Sequence, residues 1–69
     1  MNTKDIAKNV LLTFAAHNAG SLMTSREIRE ELLDMMEIDV NDIAAILTEE
    51  GKSTMWDENS ERLVWILER

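Results

Sequence analysis

The chain has 69 residues, a formal net charge of −7 and no cysteine, and 45% of its residues are hydrophobic. This length predicts one small domain held together by packing, alone or with the help of a partner, because no disulfide can form. A pI near 4.5 disfavours DNA, RNA and anionic membranes as partners. We expect no zinc site, because the chain lacks thiolates, and no signal peptide or membrane-spanning segment. The expected location is the cytoplasm.

The first predicted helix spans residues 3–18, with Thr3 as its N-cap and Gly20 as the glycine that ends it. One face is apolar at helical spacing and is predicted to lie in the core: Ile6, Ala7, Val10, Leu11 and Phe14. Leu12 and Ala16 fall on the far side. Leu12 is either an ordinary exposed leucine or part of a contact surface.

A capping box precedes the second predicted helix, residues 25–36. Thr24 supplies the hydroxyl and Glu27 the carboxylate three residues later, with Ser25 as a competing cap. Just before it, Leu22 and Met23 are predicted to form a strand of two or three residues. The residues predicted to face inward are Ile28, Leu32, Met35 and Met36. The outward residues are Glu27, Glu30, Glu31 and Asp34.

The third predicted helix, residues 40–50, follows a corner at residues 37–39. Ile38 is predicted to point inward and Asp39 to cap the helix, because a carboxylate suits the positive end of the helix dipole. Gly51 is predicted to end the helix. The predicted core residues are Val40, Ile43, Ala44 and Leu47, with Ile46 at the margin. The outward residues are Asn41, Asp42, Ala45 and Glu49.

In residues 53–68 the helical spacing of apolar residues gives way to two β-prone runs around a polar turn. This pattern predicts a β-hairpin with its turn near Asn59 and Ser60. Alternation places side chains on two faces: Leu63, Trp65 and Leu67 on one, Val64 and Ile66 on the other. A half-exposed hairpin should have a polar outer face, but both faces here are apolar. One apolar face is therefore expected to be covered by the helices, by Trp56 or by a second chain.

This order of elements resembles the winged-helix superfamily, and the resemblance covers nearly the whole chain. The segments that carry it are residues 24–32 (TSREIREEL), 46–51 (ILTEEG) and 63–67 (LVWIL). The resemblance implies an α+β fold in one domain, residues 1–69, with three helices and a two- or three-stranded sheet. It also implies that the third helix corresponds to the recognition helix of DNA-binding members and the hairpin to their wing.

The charge departs from that of the DNA-binding members. Residues 25–51 carry nine acidic side chains and two arginines, so their formal charge of −7 equals that of the whole chain. DNA-binding members present basic and amide side chains on the recognition helix and the wing tip, where this chain has Asp42, Glu49, Asp57 and Glu58. Carboxylates directed at phosphates oppose the gain from counterion release that drives DNA binding.

The sequence thus predicts a small regulatory protein that binds another protein. The candidate contact residues are Asn41, Asp42, Ala45, Glu49, Met55, Trp56, Val64 and Ile66. Two alternatives stay open. One is a homodimeric transcription regulator, paired through the hairpin or the Leu12 face, that binds DNA through Asn41, Thr48, Ser60 and Arg62. The other is a DNA mimic of the phage or mobile-element kind that inhibits a nucleic-acid-binding protein.

Catalytic, cofactor and metal sites are not predicted, so the chain is not expected to be an enzyme. The sequence has no paired nucleophile and base and no Gly-rich phosphate loop. Asp39 and Asp42 loosely match part of a calcium loop but lack its glycine and distal glutamate. His17 is assigned a structural role at the helix end, and most methionines a packing role. The acids serve either to keep the protein dispersed or to form a negative array.

Overall fold

Three helices and three strands follow one another in the computed structural model, which describes residues 3–68 and the side chains of residues 5–68. They are α1 (Thr3–His17), β1 (Leu22–Met23), α2 (Ser25–Leu32), α3 (Val40–Glu49), β2 (Thr54–Asp57) and β3 (Arg62–Ile66). The strands form one antiparallel sheet in the order β1-β3-β2. The predicted α+β class, with three helices and a C-terminal hairpin, is confirmed. Within the described residues, no helix combines the length and the apolar character that a membrane span requires.

The buried face of α1 is shifted from the predicted one. Its buried residues recur every four positions: Ala7, Leu11 and Ala15. Val10 and Phe14 are half-buried and pack against the core as predicted. The inward placement of Ile6 is wrong, since its side chain is 44% exposed. Ile6 lies about 100° around the helix from Ala7, away from the buried stripe. The predicted cap, Thr3, lies outside the described side chains.

The chain turns at Gly20 after α1, as predicted from the sequence. Gly20 has a φ of +94°, a conformation that favours glycine, and its N–H donates to the Leu67 carbonyl at 2.8 Å. The Asn18 N–H and Asn18 Nδ2 both donate to the Phe14 carbonyl, at 3.0 Å and 2.9 Å, and tie Asn18 to the last turn of α1. His17, the last residue of the helix, is exposed. The chain then enters β1 beside β3.

The capping box of α2 is confirmed. The Glu27 N–H donates to Thr24 Oγ1 at 3.1 Å, and the Thr24 N–H donates to Glu27 Oε1 at 3.0 Å. Ser25 is therefore not the cap. Its Oγ instead accepts a hydrogen bond of 2.8 Å from Trp65 Nε1, which joins the start of α2 to the sheet.

The predicted extent of the second helix is wrong at its C-terminal end. α2 ends at Leu32, and the Leu32 carbonyl accepts hydrogen bonds of 2.9 Å from the N–H groups of both Met35 and Met36. Met35, predicted to face inward, is 66% exposed, whereas Met36 is half-buried against the core. The helix ends early because the following turn brings Ile38 into the core, where it is 5% exposed.

α3 begins and ends as predicted, to within one residue. Asp39 Oδ1 accepts the Asn41 N–H at 2.8 Å at the first turn, and Gly51 has a φ of +78° after the last. Ile43 and Leu47 are fully buried, and Val40 and Ala44 are half-buried. Ile46 is 3% exposed and so lies in the core, not at its margin. The opposite face is exposed as predicted: Asn41, Asp42, Ala45 and Glu49.

The sheet covers the helices with one face of its central strand, β3. Trp65 and Leu67 belong to the core, and Met23, which pairs with Trp65, packs against it. Leu63 shares that side by alternation, as predicted, but is 58% exposed. The molecule measures 39 Å along its longest axis against 20 Å and 19 Å across.

Replacing Glu27 by glutamine tests the charge within the capping box. The Thr24 N–H, by donating to the Glu27 carboxylate, lowers the pKa of that carboxyl. A carboxyl whose pKa is lower in the folded chain stabilises the fold at pH values above its unfolded pKa, which is about 4.3. This stabilisation is lost as the pH falls through the folded pKa. Glu27→Gln keeps an acceptor oxygen without the charge. Its free energy of unfolding should therefore fall less from about pH 5 to about pH 3 than that of the unchanged chain.

Urea unfolding at each pH provides the measurement. Glu31→Gln is the matched control, because Glu31 is exposed on the same helix. Its pH dependence should resemble that of the unchanged chain. An unaltered pH dependence in Glu27→Gln would show that the capping interaction does not favour the charged form.

Candidate functional site

The candidate contact residues fall into three separate places. Four of them share the exposed face of α3: Asn41, Asp42, Ala45 and Glu49. Three lie on the sheet face that points away from the helices: Met55, Val64 and Ile66. Met55 pairs with Val64 across the hairpin, and directly opposed residues of paired strands point to the same side. Trp56 pairs with Leu63 and therefore lies on the other side of the hairpin.

The outer face of the sheet is apolar but only partly exposed. Val64 is 3% exposed and Ile66 is half-buried, so the accessible area there belongs mainly to the edge residues Met55 and Leu22, at 42% and 47%. Trp56 does not cover this face, because it lies with Leu63 on the opposite side of the hairpin. Trp56 and Leu63 are 57% and 58% exposed and form a second apolar pair near the hairpin end.

A first cleft, here called the hairpin groove, lies between the hairpin, the start of α2 and the corner before α3. Its volume is about 790 Å³, and its lining residues are Thr24, Ser25, Arg26, Arg29, Glu37, Ile38, Asp39, Val40 and Leu63. Both arginines of residues 25–51 line this groove, opposite two carboxylates of the corner, Glu37 and Asp39. The groove therefore has no single sign of charge.

A second cleft, here called the α1–α3 groove, is smaller and more apolar. Its volume is about 300 Å³, and its lining residues are Ala7, Met36, Glu37, Ile38, Asp42, Ala45 and Ile46. Ala7, Ile38 and Ile46 are each 5% exposed or less and form its floor. Glu37 and Asp42 are exposed and add two carboxylates. This groove is not predictable from the sequence, because it exists only where α2 ends at Leu32. Gly or Pro after Leu32 would have signalled that end, and neither is present.

Most of the described basic side chains already lie beside an acceptor within the chain. Lys8 Nζ lies 2.9 Å from Glu50 Oε1, and this hydrogen bond raises the pKa of Lys8. Lys52 Nζ donates to the Glu68 carbonyl at 2.9 Å. Arg26 Nε lies 3.8 Å from Glu30 Oε1, a weak exposed pair.

The carboxylate of Asp57 holds the hairpin turn through two hydrogen bonds. Ser60 Oγ donates to Asp57 Oδ2 at 2.7 Å, the Asn59 N–H donates to Asp57 Oδ1 at 3.1 Å, and the serine hydroxyl lowers the pKa of Asp57. The positive charge of Arg62 adds to the lowering of the pKa of Asp57 and also lowers that of Glu27. The cation at the hairpin end thus faces carboxylates of its own chain.

The residues proposed for DNA contact have few free polar groups. Thr48 Oγ1 donates to the Ala44 carbonyl at 2.7 Å within α3. Ser60 is bonded to Asp57, and Arg62 lies near two carboxylates, as described above. Asn41 has an exposed side chain on α3. A surface made from these four residues would present one amide and one arginine, among the carboxylates of Asp42 and Glu49.

Among the described residues, no three acidic or histidine side chains are grouped so as to hold a metal ion. Comparison with known protein families, with curated protein sequences and with solved structures finds no match to this chain.

The two tryptophans provide a test of this surface geometry. Trp65 is 7% exposed and Trp56 is 57% exposed. In Trp65→Phe the remaining Trp56 should emit like a solvated indole and be quenched readily by acrylamide, which is uncharged. In Trp56→Phe the remaining Trp65 should be protected from quenching. Equal quenching in the two variants, with helical circular dichroism retained, would contradict the exposed position of Trp56.

Proposed function

We propose that this chain is a small winged-helix protein that acts by binding another protein and not by binding DNA directly. The order of its elements supports the winged-helix assignment: a helix, a short strand, two helices joined by a capped corner, and a hairpin whose second strand lies at the centre of the sheet. In such a fold α3 occupies the place of the recognition helix and the hairpin the place of the wing.

The observation that carries the proposal is the charge on the exposed face of α3. Asp42 and Glu49 stand where a DNA-binding winged helix presents cations or amides, and the first turn adds Asp39 as its cap. DNA carries one negative charge per about 1.7 Å of its axis, so these carboxylates would repel it. Arg62, on the hairpin, already lies near the carboxylates of Asp57 and Glu27.

Exposed apolar side chains support a polypeptide as the partner. Trp56, Leu63 and Met55 are each more than 40% exposed, and tryptophan and methionine are both enriched at protein interfaces. A chain with twice as many acidic as basic residues is complementary to a basic protein surface. Proteins that bind nucleic acid present such surfaces. The compartment proposed for this chain is the cytoplasm.

DNA binding at low salt tests the proposal. A fluorescently labelled random duplex of about 20 base pairs is titrated with the chain at about 20 mM salt, where phosphate contacts contribute most. The unchanged chain is expected to give no change in anisotropy. Tight binding that weakens steeply with salt would overturn the proposal, and a dimeric mass by light scattering would then favour the homodimeric regulator.

Charge-reversal variants extend the test. In the double variant Asp42→Lys with Glu49→Lys, cations replace the carboxylates on the α3 face, and salt-sensitive DNA binding is expected to appear. The matched control is Glu31→Lys with Asp34→Lys, which has the same net charge but alters exposed acids elsewhere, in α2 and the turn after it. Equal DNA binding by both variants would show that net charge matters and the position on α3 does not.

A further inference from the structure

The α1–α3 groove offers an apolar floor built by three separate elements. Ala7 comes from α1, Ile38 from the corner and Ile46 from α3. Space is left there because two of the lining residues, Ala7 and Ala45, have no side-chain atoms beyond Cβ. The groove volume of about 300 Å³ is at the lower end of the range for ligand sites. It therefore suits a large apolar side chain better than an extended ligand.

Met36 makes one wall of the groove adaptable. It is half-buried, directly after the turn that ends α2. An unbranched thioether side chain changes shape at little cost and is common on surfaces that bind varied apolar side chains. The groove can therefore adjust to the side chain that enters it.

Two carboxylates accompany this apolar floor. Glu37 and Asp42 are exposed, and within the described side chains neither takes part in an ion pair or a side-chain hydrogen bond. A ligand that fills the groove brings its flanking groups close to both carboxylates. Cationic flanking groups are therefore favoured and acidic ones are repelled.

We propose that the α1–α3 groove binds a short, basic, amphipathic helix of the partner protein, which inserts one large apolar side chain between Ala45 and Ala7 and places Lys or Arg beside Glu37 and Asp42. The proposal rests on the proposed function and specifies its contact site. A helix presents apolar and basic residues on adjoining faces, and a helix placed in a groove is a common mode of protein recognition. A second copy of this chain does not fit, because each copy carries a net charge of −7.

The probe is a synthetic helical peptide of about 14 residues, acetylated and amidated, with Leu and Phe on one face and Lys and Arg on the other. Binding is measured by isothermal calorimetry and by backbone amide chemical shifts of the labelled chain. The peptide is expected to bind and to shift the amides of Met36, Asp42 and Ala45. The same peptide with Glu in place of Lys and Arg is expected not to bind.

Filling the groove separates the apolar contact from the charge. Ala45→Leu keeps a good helix former at an exposed position, so the fold should be retained, but its side chain occupies the groove. Affinity for the peptide is expected to fall about tenfold, equivalent to roughly 1.4 kcal/mol. Ala16→Leu, at an exposed position on α1 outside the groove, is the matched control and should leave affinity unchanged.

Neutralising the two carboxylates tests the charge. Glu37→Gln with Asp42→Asn is compared with Glu31→Gln with Asp34→Asn, which changes the net charge equally. The first pair is expected to weaken peptide binding about threefold more than the second, and the difference should shrink at high salt. An equal loss of peptide affinity in both double variants would show that only the net charge of the chain attracts the peptide, and would overturn the proposal.

Three other outcomes also overturn the groove proposal: no binding at about 1 mM peptide, Ala45→Leu binding as tightly as the unchanged chain, or amide shifts confined to the hairpin. The last of these leaves the proposed protein-binding function standing and moves its contact elsewhere. Failure of the proposed function itself is read independently, from DNA binding by the unchanged chain.

Discussion

The fold depends on the placement of the Trp65 indole between the sheet and the helices. Trp65 is buried in the core, and its Nε1–H donates to Ser25 Oγ at 2.8 Å, forty residues earlier in the chain. A buried indole N–H without a partner would cost about 1–3 kcal/mol, so this bond and the packing act together. Because β3 pairs with both β1 and β2, fixing Trp65 against α2 also fixes the whole sheet. Thr24 caps α2, and the Ser25 hydroxyl serves instead as the acceptor of this bond.

Short-range features of this fold are predictable because their partners are close in sequence. The Thr24–Glu27 box, the Asp39 cap and the positive φ at Gly51 each involve residues within three positions of one another. The end of α2 is not predictable in this way, because the residues after Leu32 remain good helix formers and the burial of Ile38 ends the helix. Strand alternation likewise predicts the side on which Leu63 lies, but not that its side chain is exposed.

In the candidate site, too, features set by neighbouring residues are predictable from the sequence, and features set by distant residues are not. The exposed face of α3 follows from helical periodicity, so its carboxylates were predictable as a solvent-facing set. The α1–α3 groove was not, because it needs Ala7, Ile38 and Ala45 to meet from three elements. The function proposed for the chain uses both the acidic face of α3 and the α1–α3 groove. Packing of apolar residues, together with the Trp65–Ser25 hydrogen bond, holds the domain together and leaves most of the described carboxylates on the surface, where a cationic partner can neutralise them.

The most direct test of that account is the salt dependence of thermal stability. The chain has 14 acidic residues and 7 basic ones, so repulsion between carboxylates should oppose folding when screening is weak. Raising the ionic strength from about 0.01 M to about 0.15 M shortens the screening length from about 30 Å to about 8 Å. The account predicts that the melting temperature rises over this range. A melting temperature that falls with added salt would contradict it, because attraction within the chain would then outweigh repulsion and no cationic partner would be needed.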